Sequence, residues 1–309
     1  MPYLSRCLES IHKQTYNNHQ IIAWVNQSTD GSLEELNKWV PNKIDGVIVD
    51  NQPFDNLGEC LASMVKYSDT EFLARIDCDD YNEENRLEEQ IQIILQSKNI
   101  AAVGSWMNII SENDEFISIG KKPTNNFNLL KWDLLFRCPL YHPTMVLRKS
   151  LILKSNNYNN LQTAQDYDLW LRLIQNGQIK TIEKPLLNYR KTAGSVTKNY
   201  EHQRSEINFN IYKKYALQFF DNIDEDILLK LWNSISPHSK NETKISLKLY
   251  LRCLMSFCLK NNIDFLKMIN NKEIKKEILK NKKINRSNFL LIIYLTYIFN
   301  TDYLIRKYL

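Results

Sequence analysis

Apolar residues recur along the first hundred positions with two alternating spacings. Leu4, Leu8 and Ile11 follow the three-to-four-residue spacing of a helix face, as do later sets that begin at Leu57 and at Leu87. Continuous apolar runs of strand length lie between these helices, at 20–25, 46–49 and 72–76. This alternation, with short polar connections, predicts an α/β domain with a mainly parallel sheet flanked by helices.

The pattern changes after residue 100. The runs at 101–110 and 144–148 predict strands, and residues 165–176 predict an amphipathic helix that Gly177 ends in a left-handed conformation. From about residue 200 the chain reads as helical to its end, with lysine-rich polar faces. We therefore expect an α/β domain over residues 1–199 and a helical region over residues 200–309.

Charge is distributed unevenly between these two regions. Residues 1–199 hold 21 Lys and Arg against 24 Asp and Glu, a net of −3, and residues 200–309 hold 19 against 11, a net of +8. The total of +5 is too small to indicate a nucleic-acid partner. Basic residues at 272–286 precede an apolar run at 289–299, which suits peripheral binding to an anionic membrane surface. The alternative is a helical subdomain whose lysines are simply solvated.

The sequence predicts neither a secretory signal nor a membrane span. Its first residues lead into a polar amphipathic stretch, and the longest apolar run has 11 residues. A bilayer span needs about 20 apolar residues. We therefore expect a cytoplasmic protein, with membrane contact limited to its basic tail at the inner face of the cytoplasmic membrane.

The densest acidic cluster follows a predicted strand. Asp77, Asp79 and Asp80 come directly after the apolar run at 72–76. Carboxylates at the carboxyl end of a parallel strand face the crevice where α/β folds bind ligands. Two carboxylates at this spacing suit a hard cation such as Mg²⁺ or Mn²⁺, with substrate phosphates and water completing its shell. The alternative is an acidic turn that caps the following helix.

A set of short motifs in a fixed order resembles family 2 glycosyltransferases over about residues 3–197. The longest matches are FLARIDCDD at 72–80 and QDYDLWLRL at 165–173. Shorter matches are CLESI at 7–11, STDGS at 28–32, NLG at 56–58, VGSW at 103–106, HPT at 142–144 and LNYR at 187–190. The resemblance implies a GT-A fold and metal-assisted, inverting transfer of a sugar from a nucleotide sugar, a UDP-sugar. The acceptor would be a hydroxyl of a surface glycan or lipid-linked glycan.

The resemblance also implies roles for individual residues. Asp77 would contact the donor ribose, and Asp79 would hold Mn²⁺ or Mg²⁺ on the diphosphate. Asp166 matches the catalytic base that deprotonates the acceptor, although its carboxylate could merely stabilise a helix N-terminus. Asn26 and Asn56 lie in donor-side motifs and are expected to bind the donor. Arg190 is expected to do the same, with a surface charge as the alternative.

Two aromatic side chains near these motifs have two interpretations each. His142 lies in the His-Pro-Thr turn, where a lone histidine is more often a structural residue than a ligand. Trp170 follows Asp166 on the same predicted helix, so it could stack on a sugar or pack in the core.

The chain departs from the family pattern in ways that bear on activity. Family members open with a central strand, whereas this chain begins inside the next helix, so we expect a gap in the sheet unless the flanking strands pair. We hypothesise that Met1 is an internal start or a truncation point. Val25 and Asn26 replace a pair of aspartates that reads the base and ribose, and Thr192 replaces a histidine. The alternative function is therefore a catalytically inactive GT-A-like binding module or a truncated enzyme. A nucleotidyltransferase would need a glycine-rich basic loop that this sequence lacks.

Overall fold

The computed structural model describes residues 3–50, 54–120, 123–192, 201–239 and 245–280. Strands and helices both occur up to residue 190, and the described residues beyond it contain helices. The helices are α1 (Leu4–His12), α2 (Ser32–Trp39), α3 (Leu57–Tyr67), α4 (Arg86–Ile94), α5 (Phe127–Asp133), α6 (Lys149–Lys154), α7 (Gln165–Asn176), α8 (Glu201–Ala216), α9 (Glu225–Ile235), α10 (Leu247–Lys260), α11 (Phe265–Ile269) and α12 (Lys272–Lys280). The strands are β1 (Ile21–Val25), β2 (Gly46–Asp50), β3 (Phe72–Ala74), β4 (Tyr81–Asn82), β5 (Ile100–Ile110), β6 (Phe116–Ile119), β7 (Val146–Arg148) and β8 (Gln178–Arg190).

The chain divides into two compact units. The first comprises Met1–Leu134 and Cys138–Arg204, and the second comprises Leu135–Arg137 and Ser205–Leu309. The predicted boundary between residues 199 and 200 lies outside the described residues, so it stays a prediction. In the second unit the rings of Tyr212 and Trp232 lie 4.7 Å apart between centroids and are both buried. This helical unit therefore has an apolar core of its own.

The predicted membrane contact of the tail is not tested. In the described parts of the chain, no helix has both the length and the apolar character needed to cross a bilayer. Lys272, Lys275 and Lys276 lie on α12, whereas the apolar run at 289–299 lies outside the described residues. Binding of this region to an anionic membrane surface therefore stays a prediction.

The strands of the first unit form two sheets. β1 and β2 make a parallel pair, and a larger sheet has the order β3-β7-β5-β8-β4, with β6 paired to β5. In the larger sheet β5 and β8 are parallel, but β3–β7, β5–β7, β4–β8 and β5–β6 are antiparallel. The expectation of a mainly parallel sheet is therefore wrong in this detail. The helical crossover through α2 makes β1 and β2 parallel, whereas the short connection from β5 to β6 permits only an antiparallel hairpin.

Helix α7 spans the residues that the hydrophobic pattern predicts, but it ends differently. Gly177 is extended (φ −172°), so the expected left-handed cap is wrong. A Cβ atom at this position would lie 2.8 Å from the carbonyl oxygen of Asn99 and 2.8 Å from the Cβ of Ala101. Glycine is therefore required because α7 passes close to the start of β5, not because the backbone turns left-handed.

The expected gap in the sheet lies between β1 and β3. These strands belong to different sheets, and both line a cavity of about 520 Å³, which we call the interstrand cavity. Ile21 N donates to Asp45 O (2.8 Å) on one side, and Arg75 N donates to Met145 O (2.9 Å) on the other. Successive residues of a strand direct their main-chain N–H and C=O groups to opposite sides. Ile22, next to Ile21, and Ala74, next to Arg75, therefore direct these groups away from Asp45 and Met145. The flanking strands have not re-paired across the gap.

Candidate active site

The acidic residues form a turn at the carboxyl end of β3, which we call the acidic loop (residues 77–80). Asp80 N donates to Asp77 O (3.1 Å), which closes the turn. The Cys7 thiol on α1 donates to the same carbonyl oxygen (3.6 Å). The Asp77 carboxylate is partly exposed and forms an ion pair with Arg75. The loop is thus tied to α1 while its first carboxylate remains accessible.

Two carboxyl groups of the acidic loop have raised pKa values. Burial raises the pKa of Asp79, and the neighbouring Asp77 charge raises it further. Burial, followed by the charge of Asp77, raises the pKa of Asp80 to about 8. Within the described part of the chain, no set of three or more His, Cys, Asp and Glu side chains is arranged to bind a metal. A cation held here would therefore take most of its ligands from substrate and water, as Mg²⁺ commonly does.

Asp80 faces inward and does not cap a helix. It is 1% exposed, and its Oδ1 accepts a hydrogen bond from Arg190 N on β8 (2.9 Å). Its Oδ2 is buried and has no hydrogen-bond partner among the described residues. The alternative interpretation of Asp80 as a helix cap is therefore wrong, because its carboxylate is directed to β8 and not to α4.

Arg190 lies beside the acidic loop at the end of β8. Its side chain is 1% exposed, so the alternative interpretation as a surface charge is wrong. The Nε of Arg190 donates to Asp79 O (2.9 Å), and its Nη1 donates to Ser111 O and Glu112 O (both 3.1 Å). Asp77, Asp79, Asp80 and Arg190 are therefore brought together in one place.

The two asparagines that are predicted to bind the donor, Asn26 and Asn56, contact neighbouring segments. Asn26 follows β1, and its Oδ1 accepts from Phe54 N (3.2 Å). Asn56 is the N-cap of α3, because its Oδ1 accepts from Glu59 N (3.0 Å). Its amide nitrogen also donates to Asn160 Oδ1. Each asparagine side chain is thus hydrogen-bonded at the start of a loop or a helix. These hydrogen bonds do not test the predicted role of either residue in donor binding.

Asp166 and Asp168 on α7 have different environments. Asp166 is partly exposed in the first turn of the helix, with its Oδ1 accepting from Tyr167 N (2.8 Å). Asp168 is 1% exposed, and its Oδ2 accepts from Arg172 Nη2 (2.5 Å) and Asn159 Nδ2 (2.7 Å). Asp168 is therefore a structural ion-pair residue, and Asp166 is the accessible carboxylate of the two.

The side chains of His142 and Trp170 pack in the core near α7. His142 Nε2 lies 2.8 Å from the Tyr158 hydroxyl, and Trp170 packs edge-on against the His142 ring (5.8 Å between centroids). Burial lowers the pKa of His142 well below its usual value, so the ring is neutral. Trp170 is fully buried, which confirms the core interpretation and excludes sugar stacking. Burial raises the pKa of the Tyr158 hydroxyl, so this group stays protonated beside His142.

Sequence reasoning missed Arg75 and Asp114. Arg75 precedes the acidic loop within the matched motif, so its spacing of two from Asp77 could have suggested an ion pair. Asp114 pairs with Arg190 (Nη2 to Oδ1, 2.6 Å) and with Arg6. It lies in a hairpin turn with no motif of its own, so no signal in the sequence could have found it.

Comparisons with known proteins agree on the type of enzyme. The sequence model of glycosyl transferase family 2 matches residues 1–153. The O-antigen biosynthesis glycosyltransferase WbnJ of Escherichia coli is 29% identical over 221 residues, which is 71% of this chain and 84% of the relative. The fold is similar to that of S. aureus TarS 1–349 in complex with UDP-GlcNAc (TM-score 0.59, 17% identity, 86% of this chain and 77% of that one). It is also similar to the mannosyltransferase PcManGT from Pyrobaculum calidifontis in complex with GDP-Man and Mn²⁺ (TM-score 0.54, 11% identity, 97% and 84%). These likenesses confirm the GT-A-like fold class.

Proposed function

The chain belongs to glycosyl transferase family 2 and is a glycosyltransferase, and we propose that it moves a sugar from a UDP-sugar to a hydroxyl of a glycan, with inversion. The acidic loop carries this proposal, since it gathers three carboxylates at the carboxyl end of β3. The UDP-GlcNAc complex of TarS supports a UDP-sugar donor, and the O-antigen role in the name of WbnJ supports a surface glycan or lipid-linked glycan as acceptor.

The residues of the acidic loop fit a divalent cation, Mn²⁺ or Mg²⁺. Their ligand atoms are hard carboxylate oxygens. The pKa of Asp79 is raised by burial and then by the neighbouring Asp77 charge, and a bound cation would offset both effects. The unpartnered Oδ2 of Asp80 is a further oxygen in need of a partner. We propose that Asp79 holds the cation. When bound, the cation supplies Lewis-acid stabilisation of the charge that develops on the departing diphosphate.

We propose that three residues from different segments, Asp77, Asn56 and Asn26, bind the donor. We propose that Asp77 accepts hydrogen bonds from the donor ribose, with its second carboxylate oxygen available while Oδ1 pairs with Arg75. Asn56 presents its amide at the N-terminus of α3, where main-chain N–H groups also favour anions. Asn26 retains hydrogen-bonding capacity for the base or the ribose but lacks the charge of a carboxylate.

Asp166 is proposed to remove the proton from the acceptor hydroxyl. Its partial exposure allows an acceptor to reach it, and the proton moves from that hydroxyl to the Asp166 carboxylate as the new glycosidic bond forms. Attack on the face of the sugar opposite the departing nucleotide inverts the anomeric carbon in one step. Gln165 beside it is buried, and its Oε1 has no partner among the described residues.

A second candidate is a chain of this family that binds the donor without turnover. The interstrand cavity favours it, because β1 and β3 are not paired and β3 is the strand that leads into the acidic loop. Donor binding without any transfer to a panel of acceptors would support this second candidate.

Calorimetric titration of UDP into the chain, with and without Mn²⁺, tests the donor site. We expect Mn²⁺-dependent binding that Asp79→Ala abolishes, because that substitution removes the carboxylate proposed to hold the cation. Asp69→Ala is the matched control, since Asp69 is an exposed carboxylate near the opposite end of β3. Equal Mn²⁺-dependent affinity in wild type and Asp79→Ala would contradict the assignment of Asp79.

A further inference from the structure

Arg190 joins three segments that are distant in sequence. Its main-chain N and its Nε bind the acidic loop, at Asp80 Oδ1 and Asp79 O (both 2.9 Å). Its Nη1 binds the carbonyl oxygens of Ser111 and Glu112 (both 3.1 Å), at the end of β5. The residue therefore holds the backbone of Asp79 and the side chain of Asp80 against the β5–β6 turn.

The far side of the Arg190 guanidinium is enclosed as well. Its Nη2 pairs with Asp114 Oδ1 (2.6 Å), and the Tyr3 ring lies 4.3 Å from its central carbon. Asp114 has a left-handed backbone (φ 67°) in the β5–β6 turn, and it also pairs with Arg6 on α1. With three side-chain hydrogen bonds and one ion pair made inside the protein and almost no exposed surface, the Arg190 guanidinium has little capacity to contact a ligand directly.

We propose that Arg190 is a positioning residue for cation binding by Asp79, which acts through the main chain of the acidic loop and not through the donor. The inference rests on the proposed function, because it assumes that Asp79 holds a cation. Arg190 holds Asp79 O and Asp80 Oδ1 in place. The Asp79 carboxylate is then the group of this segment that binds the cation. This positioning role revises the expectation that Arg190 itself binds the donor.

The chain contains a matched control in Arg148. Arg148 is also buried, and it donates to the carbonyl oxygens of Ile100 (3.0 Å) and Ile94 (2.7 Å). It pairs with the carboxylate of Glu71, and the Phe72 ring lies 5.0 Å from its central carbon. Arg148 thus has the same kinds of contacts as Arg190 but lies at the end of β7, opposite Phe72 at the start of β3 and away from the acidic loop.

The experiment compares Arg190→Lys with Arg148→Lys by titrating UDP over a range of Mn²⁺ concentrations, beside thermal unfolding of each variant. Both variants should lower the unfolding midpoint, because lysine cannot reproduce the branched contacts of a guanidinium. Only Arg190→Lys should weaken the Mn²⁺-dependent affinity, by about 10- to 100-fold, the usual effect of losing an outer partner of a metal ligand. Arg148→Lys should leave the Mn²⁺ midpoint unchanged.

Each result bears on the proposal in a defined way. If wild type binds UDP with Mn²⁺ but Arg190→Lys retains that affinity, the positioning role is overturned and the proposed function stands. If wild type shows no Mn²⁺-dependent binding, both fall. Should Arg190→Lys fail to fold, Asp114→Asn takes its place, since it removes only the counter-charge. A loss of Mn²⁺-dependent affinity in that variant supports the inference, and unchanged affinity overturns it.

Discussion

Asp166 and Asp168 are two residues apart on one helix, yet substitution of each should have a different consequence. Asp166→Asn keeps the shape and the hydrogen bond to Tyr167 N but removes the basic carboxylate. We expect donor affinity to be retained and kcat to fall by about 10²- to 10⁴-fold, the range of general base catalysis. Measured transfer at the wild-type rate would exclude Asp166 as the base.

Asp168→Asn is the matched comparison. Asp168 and Arg172 form a buried pair (2.5 Å), so loss of one charge leaves the guanidinium uncompensated. Breaking such a pair costs about 3–5 kcal/mol of unfolding free energy. Urea unfolding should therefore separate the two variants, with Asp166→Asn close to wild type and Asp168→Asn strongly destabilised.

His142 should make stability depend on pH. Burial lowers the pKa of His142 in the folded state. Below about pH 6.5 the imidazole is therefore protonated in the unfolded chain but stays neutral in the folded chain. The free energy of unfolding should therefore fall as the pH drops below that value, by up to about 1.4 kcal/mol per pH unit from this group.

The variant His142→Gln isolates that contribution. Glutamine can still hydrogen-bond to the Tyr158 hydroxyl but does not titrate. The free energy of unfolding should fall more between pH 7.5 and pH 5 for the wild type than for the variant. An equal fall in both would show that other groups cause the acid sensitivity.

Residue types and spacing predicted the acidic loop and the accessible Asp166, but not the contacts that hold them. The positions of Asp77 and Asp79 follow from a strand that ends at residue 74. Asp114 and Arg190 are 76 residues apart in number, and their pairing depends on how β5, β6 and β8 assemble. Local patterns carry no information about such long-range pairs.

At the scale of elements, Gly58 sets the distance between α3 and the segment before α7. A Cβ atom at Gly58 would lie 2.2 Å from Asn159 O, and Gly58 N donates to Leu161 O (3.3 Å). Gly58→Ala should therefore push these segments apart and lower the unfolding free energy by about 1–3 kcal/mol. Because Asn56 and Asp166 flank this contact in sequence, transfer should fall as well.

Gly120→Ala provides the control for that substitution. Its Cβ would meet the side chain of Met107 at 3.1 Å, and a flexible methionine can move aside. Its unfolding free energy should change less than that of Gly58→Ala. Equal free energies of unfolding for the two variants would show that the segment at Asn159 moves aside at little energetic cost.

Helices and strands could be predicted from the sequence where one face of the element packs into the core. Helix α4 places Leu87, Ile91 and Ile94 against Val103 and Val146, as its spacing predicts. Strand directions were not predictable, because the apolar runs of β3 and β7 fit parallel or antiparallel pairing equally well. The close approach at Gly177 also depends on β5, which the local pattern does not include.

At the scale of the whole first unit, the interstrand cavity should limit stability. Cys7 and Leu8 of α1 pack in one cluster with Val25 of β1, and Ile76 beyond β3 packs against it. Since α1 leads into β1, a strand joined ahead of α1 would run parallel to β1 by a right-handed crossover. We expect a five-residue apolar strand fused there to raise the unfolding midpoint, by about 2–4 °C for each kcal/mol gained.

A proline-containing version of the same fusion is the control. Proline has no N–H group and cannot complete a strand ladder, so this version should leave the midpoint unchanged. Equal midpoints for both fusions would show that the cavity does not accept a strand.

The cavity has a consequence for how activity could be governed. A gap between β1 and β3 that admits a fused strand should also admit the same segment as a free peptide, so the chain and such a peptide can be tested as a fragment-complementation pair. If the peptide also raises the rate of sugar transfer, turnover would report its association with the chain.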